Sequence, residues 1–267
     1  MLRVPTVDGD LYLKQEQPLQ AYEVPLLAAL SKRWPDRVPE VVAADAERSW
    51  LLMRDGGASI ADSGRMDAFP LALRLYAELQ VGEAAHVGEL LSYGLRDMRL
   101  SVVTDAYEPF LERDHGLEPA EVARLRSLAP KFRALCEQLA TFHLPASIQH
   151  DDLQQWNIFV RGERVAIYDW GDSSVGFPLW SWTKPIRDLS ADGIDSRPLR
   201  DAYLEPWTAV APLQELLDAL ELAIATGQFA YAMQTRRQFD ALPEARDDYA
   251  EYLPQQLRRA LGLLEAA

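Results

Sequence analysis

One cysteine is present in 267 residues. A single thiol, Cys136, excludes an internal disulfide and makes a reducing cytoplasm the simplest compartment. Basic residues are scarce, with 27 Lys and Arg against 41 Asp and Glu, a formal charge of −14. That balance argues against a nucleic-acid backbone as the main partner. It is compatible with a cationic small molecule steered by the field, although net charge does not locate a site. No run is long and uncharged enough to span a bilayer. The opening MLRVPTVDGD has no apolar signal-peptide core. No internal repeat and no low-complexity linker interrupt the chain.

Apolar residues make up 48% of the chain, enough for a substantial core, and the length admits one large domain or two modest ones. Residues 4–7 and 11–13 flank Asp8-Gly9, which predicts a hairpin with a tight primed turn. A helix is expected over 22–33, with Pro25 in its first turn and Trp34-Pro35 as its stop. Apolar runs 41–44 and 50–53 predict a second strand pair, and Asp55-Gly56-Gly57 breaks it. From Met66 the period becomes helical, with Leu71, Leu73, Leu75, Tyr76 and Leu79 placed on one side. Glu118-Pro119 reads as a helix start. A helix over 130–143 would bury Phe132, Leu135, Cys136, Leu139 and Phe142. Helices are expected over 212–239 and 246–264, the second kinked at Pro254.

Between these helices lies HDDLQQWNIFVRGERVAIYDW, residues 150–170. Ile158-Phe159-Val160 and Val165-Ala166-Ile167-Tyr168 read as strands joined through Arg161-Gly162-Glu163. A hairpin fixes its two ends relative to each other. Asp152 and Asn157 stand where the chain enters it and Asp169 where it leaves, so the apolar runs anchor in the core while the polar ends protrude at one rim. Asn157 and Asp169 offer two oxygens to a hard cation such as Mg2+, which leaves room for waters and phosphates. Asp152 is then free to accept a proton from an attacking hydroxyl. Phosphoryl transfer needs that division of labour.

His150-Asp151-Asp152-Leu153 with Asn157, followed by Ile167-Tyr168-Asp169-Trp170, resembles the catalytic and metal motifs of the aminoglycoside phosphotransferase and choline kinase-like family. The resemblance covers most of the chain. It implies an α+β, two-lobed protein kinase-like fold, with a small β-rich nucleotide-binding lobe over 1–55 and a larger helical catalytic and substrate lobe over 56–267. It implies a cytoplasmic small-molecule kinase, monomeric or homodimeric, that moves the γ-phosphate of ATP, as Mg-ATP, to a hydroxyl of an aminoglycoside-like, choline-like, sugar or amino-alcohol acceptor. Asp152 would be the base, Asn157 and Asp169 the Mg2+ ligands, and His150 a structural residue of the loop. Lys14 resembles the lysine that holds the α and β phosphates, Glu23 its ion-pair partner, and Leu52-Met53-Arg54-Asp55 the hinge whose backbone meets adenine, with Met53 packed on the base.

The sequence departs from the family pattern in four places. Asp151 replaces the Gly of His-Gly-Asp. Gln154 stands where a basic residue or histidine is common. Gly176-Phe177-Pro178 and Leu179-Trp180-Ser181-Trp182 lack the two acids of that segment, which questions how it is anchored. The front lobe is shortened, because a further strand and a phosphate-covering loop usually precede the lysine. The chain is then expected to start upstream of Met1, to bind ATP under a short roof, or to be a catalytically degenerate kinase-fold ligand-binding protein. A weaker alternative, a hydrolase metal site of His150, Asp152 and Asp169, leaves Asn157 and Lys14 unexplained. Asp172, Asp188, Asp192, Asp195 and Glu205 are candidate acids for a cationic acceptor, and Trp180 and Trp182 a candidate wall for it. His86, His115 and His143 read as ordinary helix or loop residues, and Cys136 as core.

Overall fold

The computed structural model describes residues 1–186, 195–241 and 251–267. The chain opens with strands β1 (Leu2–Thr6) and β2 (Gly9–Gln15), paired antiparallel from Leu2↔Leu13 to Thr6↔Gly9. The turn residues are therefore Val7 and Asp8, not Asp8-Gly9. Gly9 follows them at φ 107°, and neither Val7 nor Asp8 has positive φ. The expected primed turn is thus replaced by one in which only the glycine takes the conformation that L side chains resist. Strands β3 (Val41–Asp45) and β4 (Trp50–Arg54) complete an antiparallel sheet of order β1-β2-β4-β3. Helix α1 (Glu23–Arg33) packs on β3 and buries Val24, Leu26, Leu27 and Leu30. Its last turn is closed by the Trp34 N–H on Leu30 O at 2.7 Å.

Short strand β5 (Ala58–Ser59) and helix α2 (Ile60–Ser63) lead into α3 (Phe69–Glu83) and α4 (Val87–Ser92). Strand β6 (Arg96–Met98), then α5 (Leu100–Leu111), α6 (Pro119–Ser127) and α7 (Ala129–Ala140), precede four more strands. These are β7 (Ser147–Gln149), β8 (Ile158–Arg161), β9 (Arg164–Ile167) and β10 (Ser174–Gly176), and α8 (Arg197–Leu204), α9 (Leu213–Ala241) and α10 (Tyr252–Ala266) follow them. The β-rich part thus comes first and the helical part second, the α+β order expected. No helix among the described residues is long and apolar enough to cross a membrane.

Three helical details differ from expectation. On α3 the buried face carries Leu73, Tyr76 and Leu79, whereas Leu71 is 42% exposed. Helix α7 ends at Ala140, and His143 takes φ 54° in the turn beyond it. Pro254 lies in the first turn of α10, where its missing N–H has no helical partner to lose, so it makes no kink there. The reading over 242–250 lies outside the described residues.

The hairpin β8–β9 pairs from Ile158↔Ile167 to Arg161↔Arg164, and β5 adds to it through Ser59↔Phe159. The loop between α1 and β3 grips it as well. Arg37 O accepts the Ile167 N–H at 2.9 Å, and the Arg164 guanidinium donates to Pro35 O at 2.8 Å and Val38 O at 2.9 Å. Its second support is β7, the edge of a three-stranded sheet of order β6-β10-β7. There α3 supplies buried polar groups. Gln80 Nε2 donates to Ile148 O at 2.8 Å, Ser147 Oγ donates to Gln80 O at 2.5 Å, and the Tyr76 hydroxyl accepts the His150 N–H at 2.9 Å. Below them an aromatic cluster joins three helices, with Tyr107 4.1 Å from Phe229 and 4.6 Å from Phe132 between ring centroids.

Tyr76 is fully buried, so Tyr76→Phe strands the His150 N–H away from water. Unfolding by heat or denaturant is expected to show a loss of about 1–3 kcal/mol; a variant as stable as the parent would mean that this hydrogen bond does not hold the loop.

Candidate active site

Lys14 lies near the end of β2 and Glu16 one residue beyond it, two positions apart in sequence. The Lys14 ammonium lies 2.6 Å from Glu23 Oε2, 2.8 Å from Asp169 Oδ1 and 2.8 Å from Glu16 Oε1. The Glu16 contact is an ion pair without hydrogen-bond geometry, since that buried oxygen has no hydrogen-bond partner among the described residues. Burial alone would lower the Lys14 ammonium, but Glu23, Asp169 and Glu16 together hold it well above its ordinary value. Burial pushes the Glu23 carboxyl up, against the pull of Lys14 and with Glu16 adding to the push. Glu23 Oε1 also accepts the Trp170 N–H at 2.9 Å, and the Tyr22 hydroxyl donates to Gly171 O at 2.5 Å. The first turn of α1 is thereby tied to the residues that follow the hairpin. For Asp169, burial works upward, but the charge and hydrogen bond of Lys14 outweigh it and keep the carboxyl below its usual value.

At the other end of the hairpin, Asn157 Nδ2 donates to Asp152 O at 2.9 Å and to Asp152 Oδ2 at 2.8 Å. With the nitrogen spent on Asp152, Oδ1 is the Asn157 atom left for a ligand. The Tyr168 N–H reaches Asn157 O at 2.8 Å, extending the hairpin pairing by one step and setting Asn157 beside the residue that precedes Asp169. His150 is fully buried against Trp170, ring centroids 4.8 Å apart. Its Nε2 donates to Tyr168 O at 2.8 Å and its Nδ1 accepts the Asp152 N–H at 3.3 Å. That pattern needs the neutral ring, and burial pushes the imidazole below its ordinary value. The expected base, the two expected metal ligands and the structural histidine thus meet at one rim, with Lys14 across from them.

Sequence reasoning missed Lys184. It is 8% exposed, and its ammonium stands 3.2 Å from Asp152 Oδ1 and 3.1 Å from Gln154 Oε1. Gln154 Nε2 in turn donates to Asp152 Oδ2 at 2.8 Å. The loop after β7 carries the amide of Gln154, and a cation reaches it from a helical segment 30 residues later. No local pattern signals this. Glu16 was legible in principle from its alternation with Lys14.

Asp151 takes φ 61°, the left-handed backbone that suits the glycine it replaces and that aspartate tolerates better than most residues. Its Oδ2 accepts from Ser174 Oγ at 2.5 Å. Asp151 lines a crevice with Gln149, Trp180, Lys184, Tyr231 and Gln234. The segment without its two acids is anchored by neutral groups instead. Pro178 O accepts from Tyr203 at 2.9 Å, Trp180 Nε1 donates to Thr226 Oγ1 at 2.9 Å, and Ser181 Oγ bonds the Tyr76 hydroxyl at 2.7 Å.

The remaining expected residues divide. Met53 is buried in β4. The N–H groups of Arg54 and Asp55 are already given to Glu40 O at 3.0 Å and Asp10 O at 3.2 Å, and Asp55 O takes Arg161 at 2.9 Å. Asp172 Oδ1 accepts from Gln20 at 3.1 Å, between the opening segment and the strand after the hairpin. Trp180 borders the crevice, but Trp182 does not; it stacks on Tyr203 in the core, ring centroids 5.8 Å apart. Asp195 pairs with Arg197 at 2.9 Å and Glu205 with Arg74 at 3.5 Å, both as exposed surface pairs. Asp188 and Asp192 lie outside the described residues. Cys136 is buried core, its thiol pushed up to about 11 by burial.

Three solved structures share the architecture. Choline kinase LicA from Streptococcus pneumoniae aligns at 13% identity over 99% of this chain and 89% of its own, with a TM-score of 0.64. An ethanolamine kinase from Plasmodium vivax aligns at 13% identity over 96% and 76%, also with a TM-score of 0.64. Wild-type aminoglycoside 2'-phosphotransferase-IIIa, as its GDP complex, aligns at 16% identity over 96% and 88%, with a TM-score of 0.60. At such identities the likeness is one of fold, the two-lobed protein kinase-like fold. No curated protein matches the chain. The model of the phosphotransferase enzyme family, APH, matches residues 3–213, and the chain belongs to that family.

Proposed function

We propose that this phosphotransferase moves the γ-phosphoryl group of Mg-ATP to a hydroxyl of a small molecule, with Asp152 as general base. The observation that carries the reading is the meeting of Lys14 with Glu23 and Asp169 at contacts of 2.8 Å or less, at the open end of the hairpin where Asp152 is held against Asn157. Asp152 takes the proton as the acceptor oxygen bonds to the γ-phosphorus and the bond to the ADP oxygen breaks. Lys14 faces the nucleotide phosphates, and Asn157 Oδ1 and Asp169 would hold Mg2+, which screens phosphate charge when bound. Among the described residues no cluster of three or more His, Cys, Asp and Glu side chains is placed to hold a metal ion. A cation that completes its shell with waters and substrate phosphates needs no such cage. Lys184 takes the part of the missing loop cation, holding the carboxylate of Asp152 on one side and the negative charge of the transferred group on the other.

The test combines phosphate transfer to hydroxylated amines, sugars and amino alcohols with a thermal-shift titration by Mg-ATP. Asp152→Asn is expected to lower kcat by about 10²–10⁴-fold with nucleotide stabilisation kept. Asp169→Asn should lose the metal-dependent part of that stabilisation. Lys184→Met should lower kcat by about 10²-fold or more and leave the KM for ATP little changed. A protein that Mg-ATP neither stabilises nor loses a phosphate to would sink the reading.

Asp151 adds a pH dependence. Burial pushes its carboxyl up, to about 7, with Asp172 and Asp152 adding to the rise and Ser174 and Arg96 opposing it. A carboxyl whose folded pKa is above its unfolded value favours the folded state when protonated. This contribution is full below the ordinary value of 3.8 and is lost as pH rises through about 7. Melting temperatures at about pH 5 and about pH 8 should therefore differ more in the parent than in Asp151→Asn; equal differences would refute the buried-acid account.

A further inference from the structure

The acidic chain gathers positive charge in one place. A basin of about 620 Å³ is walled by Arg96, Arg113, Arg236 and Arg237, with Asp240 its one acid among the described residues. Four guanidiniums against one carboxylate, in a protein of net charge −14, is a local inversion of sign. Asp240 is shared by Arg113 at 2.8 Å and Arg236 at 3.0 Å. The other two have no carboxylate at ion-pair distance among the described residues. Arg96 donates to Met233 O at 2.7 Å and Gln234 Oε1 at 3.4 Å. Arg237 donates to Leu19 O at 3.1 Å and lies 5.5 Å from the centre of the Tyr22 ring. Burial and then the charge of Arg237 hold Arg96 below its ordinary value. Partly buried cations left without an anion are costly, and guanidinium is the side chain best shaped for bidentate contact with an oxyanion.

The basin adjoins the crevice whose Lys184 contacts Asp152, the side from which an acceptor would reach Asp152. Helix α9 gives Tyr231 and Gln234 to the crevice beside Asp151 and Lys184, and Arg236 and Arg237 to the basin. Along α9, Gln234 and Arg237 are about 4.5 Å apart. Strand β6 likewise gives Met98 to the crevice and Arg96, on the same face, to the basin.

We propose that the arginine basin anchors a carboxylate or phosphate group of the acceptor, so that the acceptor is a hydroxylated anion rather than a polycation. This rests on the phosphotransferase reading, and the two fail separately. Titration calorimetry with inorganic phosphate and, in a second arm, acetate, at constant ionic strength, should show saturable binding of one anion per chain. Arg237→Gln and Arg96→Gln should each weaken it about tenfold or more, and Arg3→Gln on the exposed first hairpin should not. Arg237→Gln keeps the test open if Arg96→Gln fails to fold. In transfer assays, matched hydroxylated compounds with and without the anionic group should differ in KM, and Arg237→Gln should erase the difference with kcat retained. A working kinase that binds neither anion and prefers the uncharged or cationic member of each pair overturns the inference alone. Anion binding lost in both variants, in a protein that transfers no phosphoryl group, keeps the anion site but overturns its place in the acceptor site and the phosphotransferase reading with it.

Discussion

One buried ammonium holds the two parts of this molecule in working relation. Lys14 comes from the second strand, Glu23 from the first turn of the first helix, and Asp169 from the end of a hairpin 155 residues away from the lysine. Glu23 has given up its water and Lys14 most of it, and their pairing with each other and with the more exposed Asp169 offsets that loss. Glu23 accepts the Trp170 N–H as well, so the same carboxylate that balances the lysine fixes the backbone beside Asp169. The positions of Lys14 and Asp169 are therefore one variable.

The polar rim was legible in sequence because its parts are local. Asp152, Asn157 and Asp169 flank one hairpin, and two short apolar runs joined through Arg161-Gly162-Glu163 reveal it without any tertiary information. Lys14 and Glu23 are matched through the family resemblance, and a strand lysine that leaves water needs such an acid. What the sequence concealed was brought by packing. Lys184 is remote in sequence from the loop it serves, and nothing in Thr183-Lys184-Pro185 marks it. The two missing acids after Asp169 suggested a loose segment, yet Gln80, Tyr76, Tyr203 and Thr226 hold it through uncharged hydrogen bonds. Small geometric errors had local causes: Gly9 follows its turn instead of filling it, Leu71 sits just past the edge of the buried stripe of α3, and Pro254 is too near the start of its helix to bend it.

Net charge was the least informative number. A sum of −14 suits a cationic ligand in principle, but the sum is made mostly of exposed acids whose fields water and salt screen within about 10 Å. The walls of a cavity are set by a few side chains, and here the arginines of α9, with Arg96 and Arg113, decide the sign. Asp151 and Arg96 are close enough for each to shift the other, so both signs of charge meet beside the crevice.

The placement of Lys184 has a consequence for how this machinery divides into parts. In a kinase whose catalytic loop carries its own cation, the loop is a self-contained cassette. Here Asp152 and the lysine that pairs with it come from separate stretches of polypeptide, aligned only when the helical segment after β10 is seated on α9. Grafting the loop alone into a related scaffold would carry the acid without its counter-charge, and the two stretches are expected to change together, or not at all, as the chain diverges.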